Sequence, residues 1–184
     1  MAVSDPIGVR YSTVAIWLHW AIAVLVIANL TIGLLNDNLL HGVGWAIPLH
    51  MSFGLTVLIL SLARVAWRLS HPIPAAPTDI SRWQQVTARS THIGLYAMIL
   101  LMPLTGWMMA SAGKRPIGFY WLVEAPKLPV SKALGGVAHE GHGILGWLML
   151  ALVLLHIGAA LRHHFLLRDG VLGRMIPALS NDRD

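Results

Sequence analysis

The stretch GHGILGWLMLALVLLHIGAAL, residues 141–161, decides how this chain is read. It holds no Asp, Glu, Lys or Arg over 21 residues. A bilayer core of ~30 Å takes about 20 apolar helical residues, so the stretch predicts a membrane-spanning helix. It also carries two histidines, His142 and His156, where a lipid-facing helix has no use for them. The first observation sets the fold, and the second sets the function.

Three further stretches are equally free of charged residues: 11–36, 38–63 and 90–113. Spans are expected at about 14–35, 48–69, 91–112 and 141–161. Backbone groups in lipid must pair within their own segment, which makes the spans helices. Their apolarity shows no period-two alternation, which excludes a β-barrel. The expectation is an all-α, integral membrane four-helix bundle, with residues 1–184 forming one transmembrane domain. Of the 184 residues, 56% are hydrophobic and only 11% charged, against about 25% charged in soluble domains. The first span reads as a retained anchor, since it is long and only Arg10 precedes it among the basic residues. Pro48 suits the first turn of the second helix, and Pro103 is expected to kink the third.

Orientation follows from the cations. With the N-terminus in the cytoplasm, Arg10, Arg64, Arg68, Arg82, Arg89, Arg162, Arg168, Arg174 and Arg183 lie inside, and Lys114, Arg115, Lys127 and Lys132 lie outside. Both termini are therefore expected to be cytoplasmic. The net charge of +5 reports topology in this reading, and nucleic acid is excluded as a partner. The segment 70–89, with Pro72, Pro74 and Pro77, reads as a stiff connector. The outer segment 114–137 contains every lysine of the chain.

Ten histidines against eight acidic residues is the second anomaly. His142 and His156 are 14 positions apart, which puts them on one helix face within about 40° and separates them by ~21 Å along the axis. Ligands so placed serve two centres, one near each membrane face. His19 enters span one as deep as His156 precedes the end of span four. His50 begins span two at the depth where His142 begins span four. Two bis-histidine sites stacked across one bundle result. His139 is turned about 100° away from the His142–His156 face and reads as a loop or propionate-contact residue.

With zero cysteines, thiolate zinc sites, iron–sulfur clusters and covalently attached haem are excluded. Four neutral imidazoles without nearby carboxylates leave a bare divalent ion uncompensated, whereas haem brings its own dianionic ring and needs only axial histidines. Gly54, Gly94 and Gly146 are candidate openings for the macrocycle, close helix packing being the other reading. Filling both axial positions favours electron transfer over oxygen binding.

Several strings also resemble the bacterial cytochrome b-561 family, itself related to the b-type cytochrome subunits of nickel–iron hydrogenases. They are Leu18-His19-Trp20, Leu49-His50, Thr91-His92-Ile93-Gly94, His142 with His156, His163-His164-Phe165, Arg168-Asp169-Gly170 and Arg174-Met175-Ile176-Pro177. The resemblance runs over residues 10–178. It implies two b haems in the bacterial inner membrane, His19 and His156 binding the cytoplasmic-side haem and His50 and His142 the external one. It also implies electron exchange with the quinone pool, ubiquinone as acceptor. Some members resemble superoxide oxidases, and others are partner subunits of dehydrogenases or hydrogenases. The family pattern has His followed by Glu at one ligand position, which would align His139-Glu140 there; helical phase selects His142.

Other residues carry open alternatives. Arg64 and Arg68, four apart on one face, suit haem propionates, a quinone carbonyl, or snorkelling to lipid phosphate. His92 lies at the depth of His19 and His156, as a haem neighbour, quinone partner, substitute ligand or satisfied interfacial residue. His163 and His164 suit a proton relay or a solvated edge, and His41 and His71 read as loop residues. Lys114, Arg115, Lys127 and Lys132 are candidates for steering superoxide or an acidic partner. A histidine-lined metal or proton transporter is a second class, but it calls for acidic residues or broken helices around a midplane site. A metalloprotease needs two residues between Glu and the second His, and His139-Glu140-Gly141-His142 has one.

Overall fold

The computed structural model describes residues 11–36, 38–72 and 81–179. Arg10, Asp37, Pro74, Pro77 and Arg183 lie outside the described residues. Four long helices dominate: α1 (Thr13–Leu35), α2 (Ala46–Ser70), α3 (Arg82–Ala112) and α4 (Lys132–Arg162). Each is long and apolar enough to cross a membrane. They run up and down. α1 packs on α2, α2 on α3 and α3 on α4, while α1 touches α4 only lightly. One end of the bundle carries Ser12, Ser70, Arg82 and Arg162 and is called the arginine end below. The other carries Trp45, Ala112 and Lys132 and is called the hairpin end.

The core is thin. Ile22 and Val26 of α1 meet Val57 of α2, Met98 and Ile99 of α3 and Met149 of α4. Most remaining apolar side chains point outward: Val24 is 64% exposed, Ile59 60% and Ile144 70%. Each such side chain costs about 1.5–3 kcal/mol in water relative to burial, and lipid removes that cost. The outward apolar shell is therefore what the charge-free stretches imply.

Two helices start earlier than their hydropathy suggested. α3 begins at Arg82 rather than 91, and α4 at Lys132 rather than 141. Apolarity marks where the hydrocarbon begins, whereas caps mark where a helix begins. The Ser81 backbone N–H donates to Gln84 Oε1 at 3.0 Å, half of a capping box. Ser131 Oγ accepts from the Leu134 N–H at 3.2 Å. The connector expected over 70–89 is thus helical from Arg82 onward, and Lys132 is a helical rather than a loop residue. α3 continues unbroken through Pro103.

Between α3 and α4 lies a hairpin that the sequence did not announce, β1 (Ile117–Phe119) antiparallel to β2 (Val123–Ala125). Its turn residues Tyr120 and Trp121 both sit at positive φ, 50° and 59°, a region costly for bulky side chains. α2 holds them there: the Tyr120 N–H donates to Ser52 Oγ at 2.9 Å, and Tyr120 Oη lies 2.9 Å from Thr56 Oγ1. At the same end, a Cβ added at Gly135 would collide with Ala112, so α3 and α4 approach closely there. At the arginine end α4 passes into a π-helical turn, His163–Leu167. His163 Nδ1 meets Asp169 Oδ2 at 2.5 Å. The tail then folds back on α1, where Trp20 Nε1–H donates to the Met175 carbonyl at 3.0 Å.

Candidate functional site

Three helices, α1, α2 and α4, bring four histidines into two pairs. His50 of α2 faces His142 of α4, ring centroids 6.0 Å apart and planes at 82°. His19 of α1 faces His156 of α4, 6.1 Å apart at 75°. The two spacings agree because α4 presents both of its histidines on one face, and α1 and α2 each meet that face at one depth. An iron bonded to two imidazoles at about 2 Å each sets the ring centroids about 6 Å apart. Both pairs have that separation. Among the described residues no group of three or more His, Asp or Glu converges as a metal cage, so the donor set suits a metal that brings its own equatorial ligands.

The hairpin-end pair is also chemically prepared. His50 Nδ1 lies 3.2 Å from the Asn29 backbone oxygen. A carbonyl only accepts, so Nδ1 carries the proton and Nε2 keeps its lone pair. His142 Nδ1 lies 3.1 Å from Thr105 Oγ1. Glycines back both rings. A Cβ at Gly33 would sit 3.0 Å from His50 Cε1, and one at Gly106 would sit 3.1 Å from His142 Cε1. At Gly54, Gly94 and Gly146, which sequence reasoning singled out, an added Cβ would sit 3.7 Å from Asn29, 3.3 Å from Leu152 and 3.9 Å from Met102, so only Gly94 is tightly packed. The signal for Gly33 and Gly106 was present in their depth, which matches that of His50 and His142.

At the arginine end a third imidazole adjoins the pair. His92 of α3 lies 5.3 Å from His156, and its Nδ1–H donates to the Ala88 carbonyl at 2.7 Å. His92, expected at the start of the third span, lies well inside α3, which begins at Arg82. Arg64 donates from Nη1 to the Ala15 carbonyl at 2.7 Å. Its guanidinium and that of Arg68 lie 5.9 Å and 5.5 Å from the Tyr96 ring centre. Both arginines thus have partners within the chain beside the His19–His156 pair, and each keeps further N–H donors free for an anion.

The remaining residues fall outside the pairs. His139 lies one turn from His142, exposed, with Nδ1 3.0 Å from Met109 Sδ. His71 stacks on Trp67 with centroids 3.7 Å apart. Lys114 and Lys127 border a hollow at the hairpin with Glu124, and Lys127 Nζ donates to the Gly113 carbonyl at 2.6 Å. Arg115 is exposed beside Lys114, and Lys132 opens α4.

A membrane helical bundle whose half-buried imidazoles face each other at iron-binding distance, without cysteine, has the build of a b-type cytochrome. Comparison with known proteins agrees. Residues 10–178 match the family model described as prokaryotic cytochrome b561. Over 177 residues, 94% of each chain, the protein is 30% identical to cytochrome b561 homolog 2 of Escherichia coli K12. It is 30% identical to cytochrome b561 homolog 1 of the same organism over 91% of this chain and 97% of the other. A Yersinia pestis protein named "Probable superoxide oxidase CybB" is 27% identical over 91% of this chain and 96% of its own. The chain belongs to the prokaryotic cytochrome b561 family, and membership implies b-type haem and electron transfer in a membrane.

Proposed function

We propose that this chain is a single-domain, two-haem electron carrier of the bacterial inner membrane, passing electrons from an external donor to ubiquinone. The observation that carries the reading is the two pairs of facing imidazoles, at 6.0 Å and 6.1 Å, stacked along one face of α4. His50 and His142 hold the external haem, and His19 and His156 hold the cytoplasmic one. When bound, haem supplies one-electron redox chemistry at its iron. Two protein imidazoles for each iron would leave such a group suited to electron transfer rather than to oxygen binding. The protein's own part is to fix imidazole tautomers, exclude water with an apolar bundle, and place charges at the two ends.

The arginine end faces the cytoplasm in this reading, because seven described arginines gather there against Lys114, Arg115, Lys127 and Lys132 at the other end. Arg64 and Arg68 then offer N–H donors to propionates or to a quinone carbonyl beside His19 and His156, and His92, its Nδ1–H held by the Ala88 carbonyl, offers Nε2 as an acceptor. The external cations favour an anionic donor, superoxide in the first place. Docking to a dehydrogenase or hydrogenase is the alternative outcome of the test below.

Reduced-minus-oxidised spectra of the purified protein should show b-type bands, with about two haems per chain by pyridine haemochrome. Absence of haem would sink the reading. Stopped-flow mixing with superoxide should reduce the haems, and added ubiquinone should reoxidise them. Haems that stay oxidised in superoxide would assign the chain to the docking subunits instead.

A further inference from the structure

Thr105 does something for His142 that, among the described residues, none does for His19 or His156 at the other end of the bundle. Its hydroxyl has one proton, and that proton points at its own helix: Oγ1 lies 2.9 Å from both the Leu101 and Met102 carbonyls. Those oxygens can only accept, so Thr105 must donate to them. The face it turns to His142 Nδ1, at 3.1 Å, is therefore a lone pair. Across the pair, the Asn29 carbonyl accepts from His50 Nδ1 at 3.2 Å. Both Nδ1 protons are thus engaged, and both Nε2 lone pairs are left for the space between the rings. Gly106 backs the His142 ring, where any Cβ would sit 3.1 Å from Cε1, so the imidazole is confined from behind as well as anchored at Nδ1.

We propose that Thr105 is a positioning residue that fixes the ligating tautomer of His142 and lowers the reduction potential of the haem at the hairpin end. The inference rests on the reading that His50 and His142 are axial ligands. An acceptor on Nδ1–H pushes electron density into the ring and makes Nε2 a stronger donor, which favours the ferric over the ferrous state. The change is one electron at the iron. No proton moves, because Nδ1 keeps its hydrogen in both states.

The arginine end is built the other way. Arg64, held on the Ala15 carbonyl one turn before His19, puts a fixed positive charge beside the His19–His156 pair, and a nearby cation favours the ferrous state. Hydrogen bonding lowers the potential at one end and charge raises it at the other, so both tilt the pair toward electron passage from the hairpin end to the arginine end. Thr105 is the side chain through which that slope can be altered without touching a ligand.

The test is a redox titration of purified Thr105→Val and Thr105→Ser, followed in the visible bands with haem content measured on the same samples. Thr105→Val keeps the shape and removes the hydroxyl acceptor, leaving only the Met102 carbonyl for the His142 N–H. One of the two midpoints should move to higher potential while the other stays, and Thr105→Ser should restore the wild-type value. Two haems with both midpoints unmoved in Thr105→Val would overturn the proposal. If Thr105→Val loses a haem, Thr105→Ala, with a smaller side chain and the same missing acceptor, carries the titration to the same two outcomes. Loss of that haem from Thr105→Ser as well would show that packing alone matters and overturn the assignment. Failure of the underlying reading looks different: a wild-type protein without haem, or His142→Ala with its full complement.

Discussion

His156 has two imidazoles within reach, and the structure distinguishes them by about an ångström. His19 stands 6.1 Å away and His92 5.3 Å, centroid to centroid. Two metal–nitrogen bonds of about 2 Å, plus about 1.1 Å from each nitrogen to its ring centre, require about 6.2 Å. The His19 pair meets that requirement, and the His92 pair falls short by about 1 Å. His92 is also anchored to its own helix through the Ala88 carbonyl at 2.7 Å, so moving it away from His156 means breaking that bond. His19→Ala should therefore lower the haem content from about two per chain to about one, as should His156→Ala. His92→Ala should keep both haems and at most shift one absorption band. The assay is pyridine haemochrome per mole of protein, with reduced-minus-oxidised spectra identifying the haem that remains. One haem in His92→Ala and two in His19→Ala would refute the pairing by depth and distance and make His92 the ligand.

The other predictions draw on different parts of the molecule. Gly33→Ala and Gly106→Ala each place a methyl about 3 Å from a ligand ring, and should weaken retention of the hairpin-end haem about 10- to 100-fold in a haem-transfer assay; unchanged retention would mean that the rings do not need these glycines. Ser12 Oγ accepts both the Ala15 N–H at 3.3 Å and Trp67 Nε1–H at 3.0 Å, so Ser12→Ala should cost about 1–2 kcal/mol by thermal unfolding in detergent, and an unaltered melting temperature would count against that clasp. Replacing Lys114 and Lys127 together by Glu should slow haem reduction by superoxide about tenfold at low salt and flatten its ionic-strength dependence. A rate that ignores both changes would remove these lysines from any steering role.

The transmembrane architecture was legible because hydrocarbon excludes charge. Blocks such as 14–35 and 48–69 coincide with α1 and α2 to within two residues. The starts of α3 and α4 were not, since Ser81 and Ser131 cap helices in the polar zone, where hydropathy is silent. The hairpin escaped notice for another reason. Its strands are three residues long, too short for alternation to register, and its turn places Tyr120 and Trp121 at positive φ without a glycine. Ser52 and Thr56, far away in sequence, are what hold it.

By itself the sequence determined the four spans and placed four of the ten histidines at two matching depths. Those follow from charge exclusion and from the rise and turn of a single helix, which are properties of local chain. Only the tertiary structure decided which atoms surround each ring: Gly33 and Gly106 behind the imidazoles, the Asn29 carbonyl and Thr105 hydroxyl on Nδ1, and His92 crowding His156. Those depend on how far each helix is rotated toward its neighbours, and one helix's periodicity carries no record of another's rotation.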